Sequence, residues 1–150
     1  MTDFTLTSAI PVTFENLEWD LTPPHGRVVG GGTLAVASLN AAAHYPNGYV
    51  SSGLIVALAT GGTYVNQLVP WVSAGANGAG TAVGVLVASV PVTRASGATA
   101  RAKIGVAFMQ RGVVSFGKLP YTAAGVGANG GALTDIATAR TQLPAIIWQV

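Results

Sequence analysis

Gly80-Thr81-Ala82-Val83-Gly84-Val85-Leu86 has the composition of a buried β-strand entered from a glycine turn. Its valines and leucine suit a pleated surface, and the run is too short for an amphipathic helix. Val83, Val85 and Leu86 are therefore expected in a central strand, with alternate side chains inside. Working outward, Gly53 to Ala59 is a second apolar run, bounded by Gly61-Gly62 and followed by Thr63-Tyr64-Val65. Thr33 to Ala37 is a third candidate, and Asn47-Gly48 is a turn signal of the kind hairpins use. Leu68 to Val72 contains Pro70, which has no backbone donor and is expected at an edge or a bulge. Downstream, Val90 to Thr93, Ala98 to Phe108 and Gly112 to Phe116 continue the series, with a turn expected at Gln110-Arg111. Short strands at this spacing, with glycine turns and little helical period, predict a mainly β fold, a small barrel or sandwich.

The two ends differ from this centre. Residues 1–27 read as an extended N-terminal arm, and 28–150 as a single β-rich domain. Phe14-Glu15-Asn16-Leu17-Glu18-Trp19 alternates imperfectly, and Thr22-Pro23-Pro24-His25-Gly26 separates it from the body. An isolated strand cannot satisfy its own backbone groups, so such an arm stays unpaired or adds to another sheet. Gly30-Gly31-Gly32-Thr33 lacks the lysine of a phosphate loop and is expected to be a hinge between arm and body. Near the C-terminus, Gly125 to Gly131 reads as a loop and Thr134 to Arg140 as a short helix. Thr134 would cap that helix, with Asp135 and Arg140 at the ends that suit their charges. Leu143-Pro144 stops it, and Ala145 to Val150 is a final strand.

Composition narrows the function. Charged residues are 8% of the 150, about a third of the usual share. None lies between Val28 and Thr93, so an acid–base pair cannot be assigned there and an enzyme is not expected. No apolar run approaches the roughly 18 residues of a spanning helix. The N-terminus lacks the basic and apolar regions of a signal peptide, so synthesis in a cytoplasm is expected. With no cysteine there are no disulfides or thiolate metal sites. Residues 1–20 hold Asp3, Glu15, Glu18 and Asp20 and no basic residue, whereas all seven basic residues fall in 21–150. Those seven are spread thinly and do not form the basic stripe of a nucleic-acid binder. The acidic N-terminus instead suits a basic patch on a partner protein.

The order of pieces from Tyr45 to Pro120 resembles the head decoration proteins of lambda-like tailed phages. An aromatic-Pro-Asn-Gly turn at Tyr45 to Gly48 leads to Gly53 and an apolar strand, then Gly62-Thr63-Tyr64-Val65 and Pro70-Trp71. Gly80 to Leu86 looks like the family's "G-x-A-V-G-I-L" strand. Arg111-Gly112-Val113-Val114, Lys118-Leu119-Pro120, the short helix and the terminal strand come next, in the family's order. Residues 28–43 have no obvious counterpart in its short members. The resemblance implies a non-enzymatic cement protein without cofactor, made in the host cytoplasm and carried on the outer surface of the virion head. It implies homotrimers bound to the major capsid protein at three-fold and quasi-three-fold positions, with the arm adding to capsid β-structure.

On this reading Phe14, Glu15, Leu17, Glu18 and Trp19 are the capsid-binding arm. Arg111 is a candidate for the trimer or capsid interface. Trp71 is read as either an interface anchor or a core residue, and Trp148 as buried. His25 and His44 have no spacing that defines a metal site and are expected to be solvated loop residues. The alternative is a tail or fibre module that binds host-surface carbohydrate through Tyr45, Tyr49 and Tyr64 with Asn47, Asn66 and Gln67. No nucleic acid or membrane partner is expected on either reading.

Overall fold

A computed structural model describes residues 17–23, 25–92, 101–120 and 133–149 of the chain; of 133–136 it describes the backbone only. The protein is mainly β, as the sequence predicts. Its strands are β1 (Val28–Ala35), β2 (Tyr49–Val50), β3 (Ile55–Leu58), β4 (Leu68–Pro70), β5 (Ala82–Leu86), β6 (Val90–Pro91), β7 (Lys103–Ser115) and β8 (Ile146–Gln149). Two helices accompany them, α1 (Ala41–His44) and α2 (Leu133–Gln142). The main sheet runs β1-β4-β3-β5-β7-β8, and β7 also pairs with β1. Five strands thus close on themselves as a small barrel, and β8 extends β7 in parallel beyond it. β2 and β6 form a separate antiparallel pair.

Closure divides the apolar residues into two layers. Leu34, Val56, Leu68, Leu86, Ile104, Val106 and Phe108 come from all five barrel strands and form one cluster, the barrel interior. Ile55, Ala57, Ala82, Val85 and Met109 face outward into a second cluster with Trp19, Trp71, Ala139, Leu143 and Ile146. Strand β5 serves both layers. A register shift opposite Val56 and Ala57 makes Val83 the extra residue. Ala82 and Val85 then share the outer face, while Val83 and Leu86 turn inward. The expected strict alternation is therefore interrupted by a bulge, which bends the strand round the barrel.

The glycines of β1 are strand residues, not a hinge. A Cβ on Gly32 would lie 2.6 Å from Leu68 Cδ1, and one on Gly30 would lie 2.9 Å from Phe108 Cζ. The interior is filled by Phe108 and Leu68 because these two positions carry no side chain. The turn expected at Gln110-Arg111 is likewise absent. β7 passes straight through it, with a register irregularity against Val28 and Val29. Pro70 ends β4 opposite Val56 of β3; β4 lies between β1 and β3, but its register pair with β1 is at Leu68, so Pro70 itself is paired on one side only. Thr63-Tyr64 belongs to a 3-10 turn, Gly62–Tyr64.

The largest revision concerns the arm. Trp19 is 0% exposed and belongs to the outer core layer. Its indole Nε1 donates to Ser52 Oγ at 3.2 Å. Ser115 N donates to Trp19 O at 2.7 Å and Leu21 N to Val113 O at 3.0 Å, so residues 19–21 run antiparallel beside β7. Thr22 Oγ1 accepts from Val113 N at 2.8 Å. The Asp20 carboxylate accepts from Thr22 N at 3.0 Å and pairs with Arg27. The described body therefore begins before residue 28, and the sheet to which residues 19–21 add is this chain's own.

Helix α2 packs through Ala139 and is tied to β5 by one polar side chain. Gln142 Oε1 accepts from Ala82 N at 2.7 Å and from Trp71 Nε1 at 3.2 Å, while its Nε2 donates to Gly80 O at 2.9 Å. A single amide thus satisfies three polar groups at the mouth of β5. The helix extends beyond the expected Arg140 to include it.

Candidate interaction surface

The outer layer covers only part of the barrel. Trp19, α2 and β8 lie over β3, β5 and the end of β7, while the described residues leave the outward face of the β1–β7 pair open. There Gly31 stands opposite Ala107, and Thr33 opposite Gly105. All four are exposed, and Val29 beside them is 45% exposed. A Cβ on Gly31 or Gly105 would have no atom within 4 Å. The result is an exposed ribbon of small side chains with no charged side chain between Lys103 and Arg111. With no side chain at Gly31 or Gly105, such a surface offers a partner close approach to the backbone.

Among the residues singled out from sequence, the structure separates those available to a partner from those that are not. Trp71 is 0% exposed, and its indole is held by Gly80 O and Gln142 Oε1; it is a core residue and not an interface anchor. Trp19 is lost to any partner for the same reason. Arg111 is exposed on β7 opposite Val28. Leu17 is exposed, and Glu18 reaches Lys118 Nζ at 3.2 Å on the surface. Phe14 and Glu15 lie outside the described residues. Trp148 is half-buried against the outer layer, and its Nε1 is buried with no hydrogen-bond partner among the described residues. Beyond it, β8 ends the sheet among the described residues, with Ile147 63% exposed.

His44 departs from the expectation of a solvated loop residue. It ends α1 and is buried, and Asn40 N donates to its Nδ1 at 2.9 Å. Burial pushes its pKa below the ordinary histidine value, opposed by the Asn40 carbonyl. The same Asn40 caps α1, its Oδ1 accepting from Ala42 N at 3.0 Å and Ala43 N at 3.2 Å. His25 is an exposed turn residue. Among the described residues no three of His, Asp or Glu converge as a metal site would require.

The carbohydrate candidates do not form one site. Tyr49 and Asn47 share a cleft of about 160 Å³ with Pro46, Ser51 and Pro120. Tyr45 packs against the interior cluster. Tyr64 lines a different and larger cavity of about 680 Å³ with Asn40, His44, Thr63 and Asn77. Asn40 and Asn77 were not singled out from sequence, where each is one polar residue in a loop. The open β1–β7 face was missed as well, because Gly30-Gly31-Gly32 reads locally as a break. No family model and no curated protein matches the chain.

Proposed function

We propose that this protein is a phage-head decoration protein, a non-enzymatic homotrimer that clamps major capsid protein subunits together on the outside of the expanded head, at three-fold and quasi-three-fold positions. The observation that carries the reading is the open β1–β7 face. In a chain with so few charges, an exposed, uncharged ribbon of Val29, Gly31, Thr33, Gly105 and Ala107 favours burial against protein. The order of sequence pieces that resembles the decoration family supports it independently.

The mechanism is mechanical. A shell under pressure from packaged DNA fails where subunits separate, and a rigid body bound across the junction opposes that separation. A closed barrel suits the task, because its five strands pair with one another all the way round. Apolar contact supplies most of the attraction, at roughly 25 cal/mol per Å² of surface removed from water as an upper bound. Three linked copies then dissociate far more slowly than one. Titrating the purified protein onto undecorated heads and onto whole host cells tests the reading. Saturable, regularly spaced trimers on heads are expected. Binding to cells but not to heads would instead support a receptor-binding tail or fibre module.

A further inference from the structure

The cavity lined by Tyr64 is built from three connections at one end of the barrel. Ser38, Asn40 and His44 come from the segment between β1 and β2, Gly61 to Tyr64 from that between β3 and β4, and Val72, Ala76, Asn77 and Ala79 from that between β4 and β5. Its volume, about 680 Å³, falls within the range of about 300–1,000 Å³ usual for small-molecule sites. Its walls are fixed before any ligand arrives. Thr60 N donates to Asn77 O at 2.8 Å, Val72 N to Ala79 O at 3.0 Å, and Asn66 N to Ala59 O at 2.8 Å. Asn77 holds a left-handed backbone, φ 54°, next to Gly78 at φ 88°. A Cβ on Gly78 would lie 2.5 Å from Leu58 O, so the two loops meet backbone to backbone.

The lining has no Asp, Glu, Lys or Arg. Its histidine is driven toward the neutral form by burial. A charged ligand would lose hydration there with no opposite charge in return. The lining is not purely apolar either. Exposed Asn77 and Thr63 bring amide and hydroxyl groups to the lining, and Tyr64, Val72, Ala76 and Ala79 bring an aromatic ring and apolar groups to the same cavity. Hydroxyl-rich neutral molecules with one apolar face match this combination, since they use both the amide donors and acceptors and the aromatic wall.

We infer that this cavity binds a neutral saccharide unit. The inference does not rest on the capsid reading, and its site differs from the Tyr49–Asn47 cleft. The probes are methyl α-glucoside, methyl α-mannoside, methyl β-galactoside and N-acetylglucosamine, each free and as the terminal unit of an immobilised polysaccharide. Saturation-transfer NMR of the full chain is expected to detect at least one of the free glycosides, in the millimolar range. Retention only on the immobilised forms would place the ligand on a surface glycan and equally support the inference. Asn77→Gly keeps the left-handed backbone while removing the amide, and Ala76→Arg fills the mouth. Both are expected to weaken binding about tenfold or more, whereas Tyr49→Ala should leave it unchanged. Absence of binding by every probe, or binding that survives Asn77→Gly in a folded protein, overturns the inference. Loss of head occupancy in Ala76→Arg without any saccharide signal also overturns it, and assigns the cavity to a partner's side chain.

Discussion

Two glycines of the barrel strands have opposite roles. A Cβ on Gly84 would lie 2.5 Å from the Met109 carbonyl and 2.6 Å from Phe108 Cδ2. The carbonyl belongs to a paired strand and cannot yield. Gly84→Ala is expected to cost about 1–3 kcal/mol or more. Gly31 has open space at the same position, so Gly31→Ala should be neutral or stabilise by about 0.4–1 kcal/mol, through the unfolded chain. Urea denaturation of the two variants side by side checks the contrast, and equal effects would mean that the barrel interior has been misassigned. His44 gives a second prediction at this scale. Burial lowers its pKa in the folded state, so the unfolded chain binds the proton more tightly. The stability associated with neutral His44 is complete above the ordinary histidine pKa of about 6.5 and is lost as pH falls through that value toward the lowered folded one. Melting temperature should hold steady from pH 8 to 7 and decline from 6.5 to 5. His44→Gln, which retains an acceptor for Asn40 N, should flatten that decline.

The element that differs most from its sequence reading is the segment 17–23. Phe14, Leu17 and Trp19 look like grips for a partner, yet Trp19 fills this chain's own outer layer and its neighbours pair with β7. Removing residues 1–16 should leave the melting temperature nearly unchanged. Removing 1–20 should unfold the body, because Trp19→Ala alone is expected to cost about 3–5 kcal/mol. Differential scanning calorimetry of the two truncations separates these outcomes. Occupancy on heads, measured on the shorter deletion, then reports what residues 1–16 contribute to docking without interference from the fold. A folded 1–20 deletion would show that the pairing with β7 is dispensable. Helix α2 shows a related limit. Few of its side chains are apolar, and it is seated by buried Ala139 together with the amide of Gln142, which lies 60 residues from Ala82.

At the scale of the whole molecule, the open β1–β7 face is the surface on which the proposed function depends. Ala107 is exposed there opposite Gly31. Ala107→Glu should leave folding within about 0.5 kcal/mol of the parent, as an exposed substitution. Burying that carboxylate against a partner would cost binding, and occupancy on heads or trimer content by light scattering should fall about tenfold, equivalent to about 1.4 kcal/mol. Unchanged occupancy together with an unchanged trimer would show that the face points to solvent and would remove the main support for the reading.

Much of the β architecture could be read locally because it rests on local chemistry. Gly80 to Leu86 and Gly53 to Ala59 could hardly be anything but strands. The short C-terminal helix and the last strand are legible in Pro144 and a run of large apolar residues, although the helix starts at Leu133, so that Thr134 lies inside it and is not its cap. The scarcity of charge in the centre is a property of composition alone, and it bounds function in the same direct way. Tertiary structure decided what depends on a partner distant in sequence. Gly30 and Gly32 are strand residues because Phe108 and Leu68 occupy the space a side chain would need. Trp19 and Trp71 are core residues because Ser52 and Gln142 meet their indoles. The cavity beside Tyr64 exists because three separate connections converge on it. A residue's own chemistry sets its preference for strand, turn or interior, but a side chain is buried or free according to what the closed barrel brings against it.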